Sequence, residues 1–265
     1  MSHPMQVFNQ QPGMPPPPPG AAVQWMQPPP AMPNCPIGLE YLTQIDKIMI
    51  HQKKSILEAV TEWEVANKYV LLNAVGQQVY YAFEESGCCT RQFCAQNRGF
   101  TMHIVDNFQR EVLTIRRPFK CCTAGCLASI DTCGHEVSIE TPAGEKIGMV
   151  RQRFSCCANN FSVLNGDESK EIFKISGPNM CSWTYNCNCC ADKVFEIMNP
   201  EGQPCGAIRK KWGGWVKEAF TQADTFSVEF PVDLDVRCKA ALLGATFLID
   251  FLQFENKQNN VQNAD

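Results

Sequence analysis

The residues from Ala240 to Leu252 constrain this chain more than any other stretch. They form an apolar helix candidate with Asp250 inside it. A helix that is apolar on every face belongs in a protein core or in a bilayer. Ten residues, Ala240 to Ile249, precede the charge. At about 1.5 Å per residue they cover roughly 15 Å. A hydrocarbon core of about 30 Å calls for about 20 apolar residues. A carboxylate in lipid costs a few kcal/mol as well. The short length favours a buried core helix, with a membrane span as the competing reading. Small residues recur at helical spacing, Ala240 with Gly244 and Ala241 with Ala245. They make a thin helix that other backbone can approach closely. The same spacing serves helix pairing in lipid, so it does not discriminate.

What surrounds that helix is legible from repeats. Thr101 to Phe119, Glu136 to Phe154 and Val194 to Trp212 align without gaps. Each opens with a strand pattern, passes a polar turn and ends in basic residues plus an aromatic. The turns are Asp106-Asn107, Thr141-Pro142-Ala143-Gly144 and Asn199-Pro200-Glu201-Gly202. Such turn chemistry between apolar runs predicts β-hairpins. Tyr69 to Glu84 and Phe161 to Ser176 look related with a one-residue shift, and Phe226 to Phe230 reads as a further strand. So many strands with one apolar helix predict a mainly β chain, a closed barrel wrapped around the helix. Closure removes exposed edges, and a helix fills a lumen too wide for side chains alone. Between residues 38 and 60, Leu42, Ile45, Ile48, Met49, Ile56 and Leu57 fall at helix-like spacing, which predicts one or two amphipathic helices.

If the hairpins point the same way, their basic ends share related rims. Arg116, Arg117, Arg151, Arg153, Arg209, Lys210 and Lys211 then form patches suited to anionic lipid head groups, each near-surface cation contributing about 1 kcal/mol. Ordinary solvated strand ends are the alternative. The net charge of −4 argues against a general nucleic-acid binder.

Residues 1–36 hold twelve of the eighteen prolines, and no charged side chain precedes Glu40. This composition cannot build a core and is expected to be disordered, with polyproline II character. It is a docking arm for SH3-type domains or a solubilising tail. The barrel is expected over 37–255, with a disordered tail over 256–265. The first residues show neither a charged n-region nor an apolar h-region, so no secretory signal is read. The sixteen cysteines are then expected as reduced thiols on the cytosolic side. They cluster, as at Cys121-Cys122 with Cys126. Structural thiols, S-acylation and zinc are the three readings, with zinc disfavoured because ligands usually stand two to four residues apart.

On these residues the chain resembles the phospholipid scramblase family. The matching stretches are Pro36 to Leu42 with Gln44-Ile45-Asp46, Cys88-Cys89-Thr90-Arg91, Arg116-Arg117-Pro118-Phe119, Phe226 to Asp235, and Phe247 to Phe251. The resemblance covers 36–255. It implies a tubby-like fold, a twelve-stranded β-barrel around a central C-terminal hydrophobic helix. It implies Ca²⁺-responsive movement of phospholipids between leaflets at the plasma membrane. The implied calcium segment is Gln222 to Asp233, with Asp224, Glu229 and Asp233 as candidate ligands and Thr225 and Ser227 as weaker oxygens. Oxygen donors suit Ca²⁺. Gln222 stands where the family has an acid, however, and Ser227 stands where an EF-hand loop needs Gly. Phe226, Val228 and Phe230 alternate with Ser227 and Glu229 as in a strand. A weak ion site and a plain barrel strand both remain open. The resemblance also implies palmitoylation at Cys121, Cys122 and Cys126. An acyl chain beside Arg116, Arg117 and Lys120 supplies the two signals that stable anchoring needs. Some relatives carry a nuclear-import signal near Gly206 to Gly214, where Arg209-Lys210-Lys211 keeps the charge, so a nuclear fraction is compatible.

Two functions compete: lipid scrambling, and a palmitoylated, lipid-binding adaptor that recruits SH3-type partners. Self-association fits either. No His stands with a Cys or Ser in a nucleophile arrangement, so no catalytic residues are expected. The core or membrane helix residues are Ala240, Gly244, Phe247, Ile249 and Asp250. A protein on the cytosolic face and a single-pass protein remain the two topologies.

Overall fold

The structure is a computed structural model that describes residues 24–53, 67–85, 97–120, 133–155, 158–179, 192–210 and 225–252. Twelve strands run in chain order. They are β1 (Lys47–Lys53), β2 (Lys68–Asn73), β3 (Gln78–Glu85), β4 (Phe100–Val105), β5 (Glu111–Arg117), β6 (Glu136–Glu140), β7 (Lys146–Arg153), β8 (Ala158–Asn165), β9 (Glu171–Asn179), β10 (Lys193–Met198), β11 (Pro204–Lys210) and β12 (Thr225–Glu229). Each pairs antiparallel with the next, and β1 pairs with β12 to close the barrel. One helix, α1 (Val236–Asp250), follows. This is the helix-filled twelve-stranded barrel that the family resemblance implies, and all five sequence hairpins are present.

The strands form because every second residue is apolar. In β6, Val137 and Ile139 are buried while Ser138 is not; in β10, Phe195 and Ile197 alternate with exposed Glu196. The inward set packs on α1, which is buried from Lys239 to Asp250. The helix is capped by Asp235, whose side chain accepts from the Arg237 and Cys238 amides. Such caps stabilise a helix by about 1 kcal/mol. At about 1.5 Å per residue its fifteen residues reach about 22 Å. Among the described residues no helix is long and apolar enough to cross a membrane. Ala240, Gly244, Phe247 and Ile249 are core, and the membrane-span reading of this segment gives way to their burial inside the barrel. Asp250 is satisfied there, accepting from the Tyr69 hydroxyl at 2.9 Å.

The five hairpins share one turn design. The turns begin at Asn73, Asp106, Thr141, Asn165 and Asn199, and each of these side chains accepts a backbone amide four or five residues on, from Gln77, Arg110, Glu145, Lys170 and Gln203. A residue with φ between 60° and 83° completes each turn: Gly76, Gln109, Gly144, Glu168 and Gly202. Glycine meets that geometry without steric cost at three of the five. Gln109 and Glu168 adopt it under the same side-chain bracing.

Two expectations differ from the structure. The helix predicted over 38–60 is a short 3-10 helix, Glu40–Gln44, followed by β1. Two short elements in series mimic the i, i+3 spacing, because Leu42 lies in the first, Ile45 caps its end, and Ile48 and Ile50 are on the inward face of the second. Residues 54–60 lie outside the described residues. The proline-rich head was expected to be unstructured through residue 36. Within it, Trp25, Met26 and Cys35 contact the barrel, with the Met26 amide donating to the Gln78 carbonyl at 2.8 Å. Trp25 and Met26 are the apolar side chains that make this contact, packing against Val70, Tyr81, Val105 and the main core.

Steric fit fixes α1 in the lumen. A Cβ on Gly244 would come within 2.5 Å of Ile139 Cγ1, and one on Gly148 of β7 would lie 3.0 Å from Ala241 Cβ. Gly244→Val therefore overpacks the core and lowers unfolding stability by about 1–3 kcal/mol. Thermal unfolding followed by circular dichroism reads this as a drop of about 2–4 °C per kcal/mol. An unchanged melting temperature contradicts the lumen position of Gly244.

Candidate functional site

The barrel has two unlike ends. The five tight turns, the start of α1 and the last residue of β12 define one rim. The remaining strand connections leave from the other, where β5, β7 and β11 end and α1 finishes.

The turn rim is rich in acids. Glu145, Asp167, Glu168 and Glu201 sit in or beside its turns, with Glu229, Asp233 and Asp235 where the chain passes from β12 into α1. Most of these acids are engaged. Glu229 is 2.8 Å from Lys47 and 3.6 Å from Arg209, and the Lys47 hydrogen bond holds its carboxyl below the usual range. Asp235 is the helix cap. Lys239, fully buried in α1, donates to the carbonyls of Leu42, Ile45 and Val232 at 2.7–2.9 Å. Its ammonium also sits 5.1 Å from the Phe230 ring. Burial pulls the Lys239 pKa down, and the fields of Asp233 and Asp46 oppose that shift. Asp233 thus acts as a counter-charge to a buried lysine.

This bears on the three acids proposed for Ca²⁺. Asp224 lies outside the described residues. Glu229 is the last residue of β12 and Asp233 stands in the exposed turn beyond it. Four residue steps at about 3.3 Å set Thr225 about 13 Å from Glu229, whereas Ca²⁺ takes oxygens at about 2.3–2.6 Å. Ser227, a weaker candidate, is fully buried midway along β12. Among the described residues no group of three His, Cys, Asp or Glu is arranged to hold a metal ion. Glu229 is committed to Lys47 and Arg209, and Asp233 lies in the field of buried Lys239.

The connection rim carries the basic strand ends, and the structure sorts them. Arg116 is exposed, 3.1 Å from Glu140. Arg153 is exposed as well. Arg151 lies half-buried on the outer wall between Glu136 at 3.0 Å and Glu168 at 3.1 Å. Arg209 faces Glu229 on the wall. Lys210 places its ammonium 5.2 Å from the Phe226 ring. Lys211 and the cysteines Cys121, Cys122 and Cys126 lie outside the described residues. Arg117 does not belong to a surface patch. It is buried, 4% exposed, because it alternates with Arg116 and points into the barrel mouth.

There Arg117 joins a polar cluster that the sequence reading missed. Its guanidinium lies 4.2 Å from the Phe251 ring and 6.0 Å from the Phe100 ring. It donates to the Arg98 carbonyl and contacts His135 Nδ1 at 2.6 Å. Arg98 stacks on the same Phe251 ring at 4.6 Å and forms a buried, two-point ion pair with Glu84. Asn67 donates to Glu84 at 2.8 Å and accepts from Gln52 at 2.8 Å. A charge removed from water needs partners of this kind. The cluster closes the mouth directly over the end of α1. A basic residue followed by Pro and an aromatic signals a strand end, but not which of two adjacent arginines turns inward.

These features define a helix-filled antiparallel barrel with an acid-rich turn rim and a connection rim edged by exposed guanidinium groups. The scramblase family model matches residues 26–256. Phospholipid scramblase 1 of Rattus norvegicus is 44% identical over 243 residues, 91% of this chain and 69% of that protein. Phospholipid scramblase 1 of Homo sapiens is 44% identical over 92% of this chain and 74% of its own length. Phospholipid scramblase 2 of Bos taurus is 44% identical over 88% of this chain and 76% of its own length. A solved protein of Arabidopsis thaliana shares 10% identity at a TM-score of 0.42, over 82% of this chain and 99% of that chain. The chain belongs to the scramblase family.

The mouth cluster carries a pH signature. Burial, then the charges of Arg117 and Lys120, pull the His135 pKa down from 6.5 to about 4. The unfolded chain therefore binds a proton between pH 6.5 and 4 that the folded chain refuses. The stability that depends on neutral His135 is complete above pH 6.5 and is lost as pH falls toward 4. Urea unfolding at pH 7 and pH 5 should show the wild type losing more stability than His135→Asn, which keeps an acceptor for Arg117 but cannot titrate. Equal losses in the two proteins contradict the buried neutral imidazole.

Proposed function

We propose that this chain is a phospholipid scramblase, moving phospholipids between leaflets at the cytosolic face of the plasma membrane. The observation that carries the reading is the family match across 26–256 at about 44% identity to phospholipid scramblases 1 and 2. The filled lumen gives it a geometric form. The inward residues of the strands and every residue of α1 from Lys239 to Asp250 are buried. A head group has no path through such an interior. Lipid meets this protein at the outer wall and the connection rim, and the barrel acts on the bilayer from its surface.

Attachment in this reading combines two weak signals. Acylation of Cys121, Cys122 or Cys126 supplies the first, and Arg116 and Arg153 supply the second. A single acyl chain gives only marginal membrane binding, so the pair is needed. Ca²⁺ is assigned no place among Glu229 and Asp233, and its effect is left to the assay.

The adaptor reading has one observation in its favour. Trp25 and Met26 are fixed to Gln78, so the proline-rich residues before them start from a set point on the barrel, where SH3-type partners can be presented.

Reconstitution of purified protein into vesicles with a leaflet-specific lipid probe, with and without Ca²⁺, separates the two. Scrambling requires probe loss beyond that of protein-free vesicles in at least one condition. No excess loss in either condition leaves the adaptor. Hydroxylamine, which cleaves thioesters, should release the cellular protein from membranes. Full retention after treatment contradicts acyl attachment.

A further inference from the structure

We infer that Phe119 and Phe154 form a two-point aromatic anchor that seats the connection rim in the interfacial layer of a phospholipid bilayer. The inference rests on the lipid-facing function proposed above and adds residues that composition and charge alone do not single out.

Both rings are out in solvent, Phe119 at 57% and Phe154 at 60% exposure. They occupy the same place in the repeat, each just past the basic end of the second strand of a hairpin. Their strands, β5 and β7, flank β6, so the strand ends stand two strand spacings, about 10 Å, apart. Each ring has an exposed guanidinium close in sequence, Arg116 for Phe119 and Arg153 for Phe154. Among the described residues neither ring stacks on another ring or on a cation.

Isolated exposed apolar side chains are ordinary on protein surfaces. Phe108 on the turn rim illustrates that case. It is 54% exposed, but the Arg110 guanidinium covers it at 5.0 Å and Asp106 holds that guanidinium at 2.7 Å. Phe119 and Phe154 have no such cover, and they recur by design rather than singly.

The geometry selects a bilayer over a protein partner. A protein anchor residue fills a pocket at the centre of a contiguous apolar patch. Here two separate tips project from one barrel rim, and the strand ends between them are polar. His135 is buried below, and Lys120 and Glu136 pair at 2.9 Å. Two tips with cations beside them suit a deformable layer with apolar depth and anionic head groups. Aromatic side chains at the lipid–water boundary with Arg at head-group level follow the same physics as the aromatic belts of membrane proteins.

The test uses the full-length, non-acylated protein in a flotation assay with phosphatidylcholine vesicles and with vesicles containing phosphatidylserine. Phe119→Ser with Phe154→Ser should weaken binding to both vesicle types at least tenfold while the melting temperature stays at the wild-type value. Phe119→Trp with Phe154→Trp should bind as the wild type does. Phe108→Ser on the opposite rim should also leave binding unchanged. The anchor is overturned if the double serine variant binds normally, if Phe108→Ser causes an equal loss, or if the wild-type protein binds neither vesicle. Wild-type binding through these rings without lipid scrambling overturns the proposed activity and keeps the anchor. Scrambling with full binding by the double serine variant does the reverse.

Discussion

The barrel depends on a close fit between a thin helix and the wall around it. A twelve-stranded lumen is too wide for side chains alone to fill, so an unfilled barrel would leave void lined with apolar groups. Each void forfeits contacts that a close-packed interior has. Helix α1 removes the problem only because it presents Gly244 to Ile139 and Ala241 to Gly148. Larger residues at these positions would hold the helix off the wall on the β6–β7 side, where its contacts concentrate. The strands in turn need the helix, since Val137, Ile139, Phe195, Ile197 and Val228 have their packing partners in it and in one another. Local preference for strands is strong in this chain, but closure around a helix is a collective property.

Both ends of the helix are tied to the wall by polar groups, and this explains where the charges of the chain have gone. At the entrance, Lys239 gathers three carbonyls, two of them from the segment leading into β1. It binds the first and last parts of the chain to each other, where β1 and β12 also pair. At the exit, Asp250 meets Tyr69, and Phe251 lies against Arg98 and Arg117. Buried charges persist only with such partners. The acids of the 229–235 segment serve this scaffold through pairing with Lys47, balancing Lys239 and capping α1. An acid already committed to a cation or to backbone amides must give up that partner before it can bind Ca²⁺.

Much of the fold was legible because period-2 alternation and turn residues are local signals. Five hairpins follow from Asn, Asp or Thr at turn starts and from Gly at three turn ends. The helix over 38–60 was misread because Leu42, Ile45 and Ile48 match a helical period while belonging to two elements. The rim was legible in outline and not in detail. Arg116 and Arg117 are chemically alike, and alternation alone puts one in water and the other over Phe251. Which member of the pair turns inward depends on the register of β5 against β4 and β6, which no short window encodes. The Glu84–Arg98–Arg117–His135 cluster was invisible for a related reason. Its members lie at or beside the ends of four neighbouring strands, β3 to β6, and meet only when those strands pair over the end of α1.

The same closure divides the two rims by role. Side-chain-braced turns make one end short and rigid. The helix start and the Lys239 pin add to that end, leaving it little freedom to deform. The connections that follow β1, β3, β5, β7, β9 and β11 leave from the opposite end. That end also lies over the mouth cluster, where Arg117 joins the rim to Phe251 and hence to the end of α1. Arg117 thus couples that rim to the helix that holds the barrel together. With the lumen filled by buried side chains, the described residues leave no channel through the barrel.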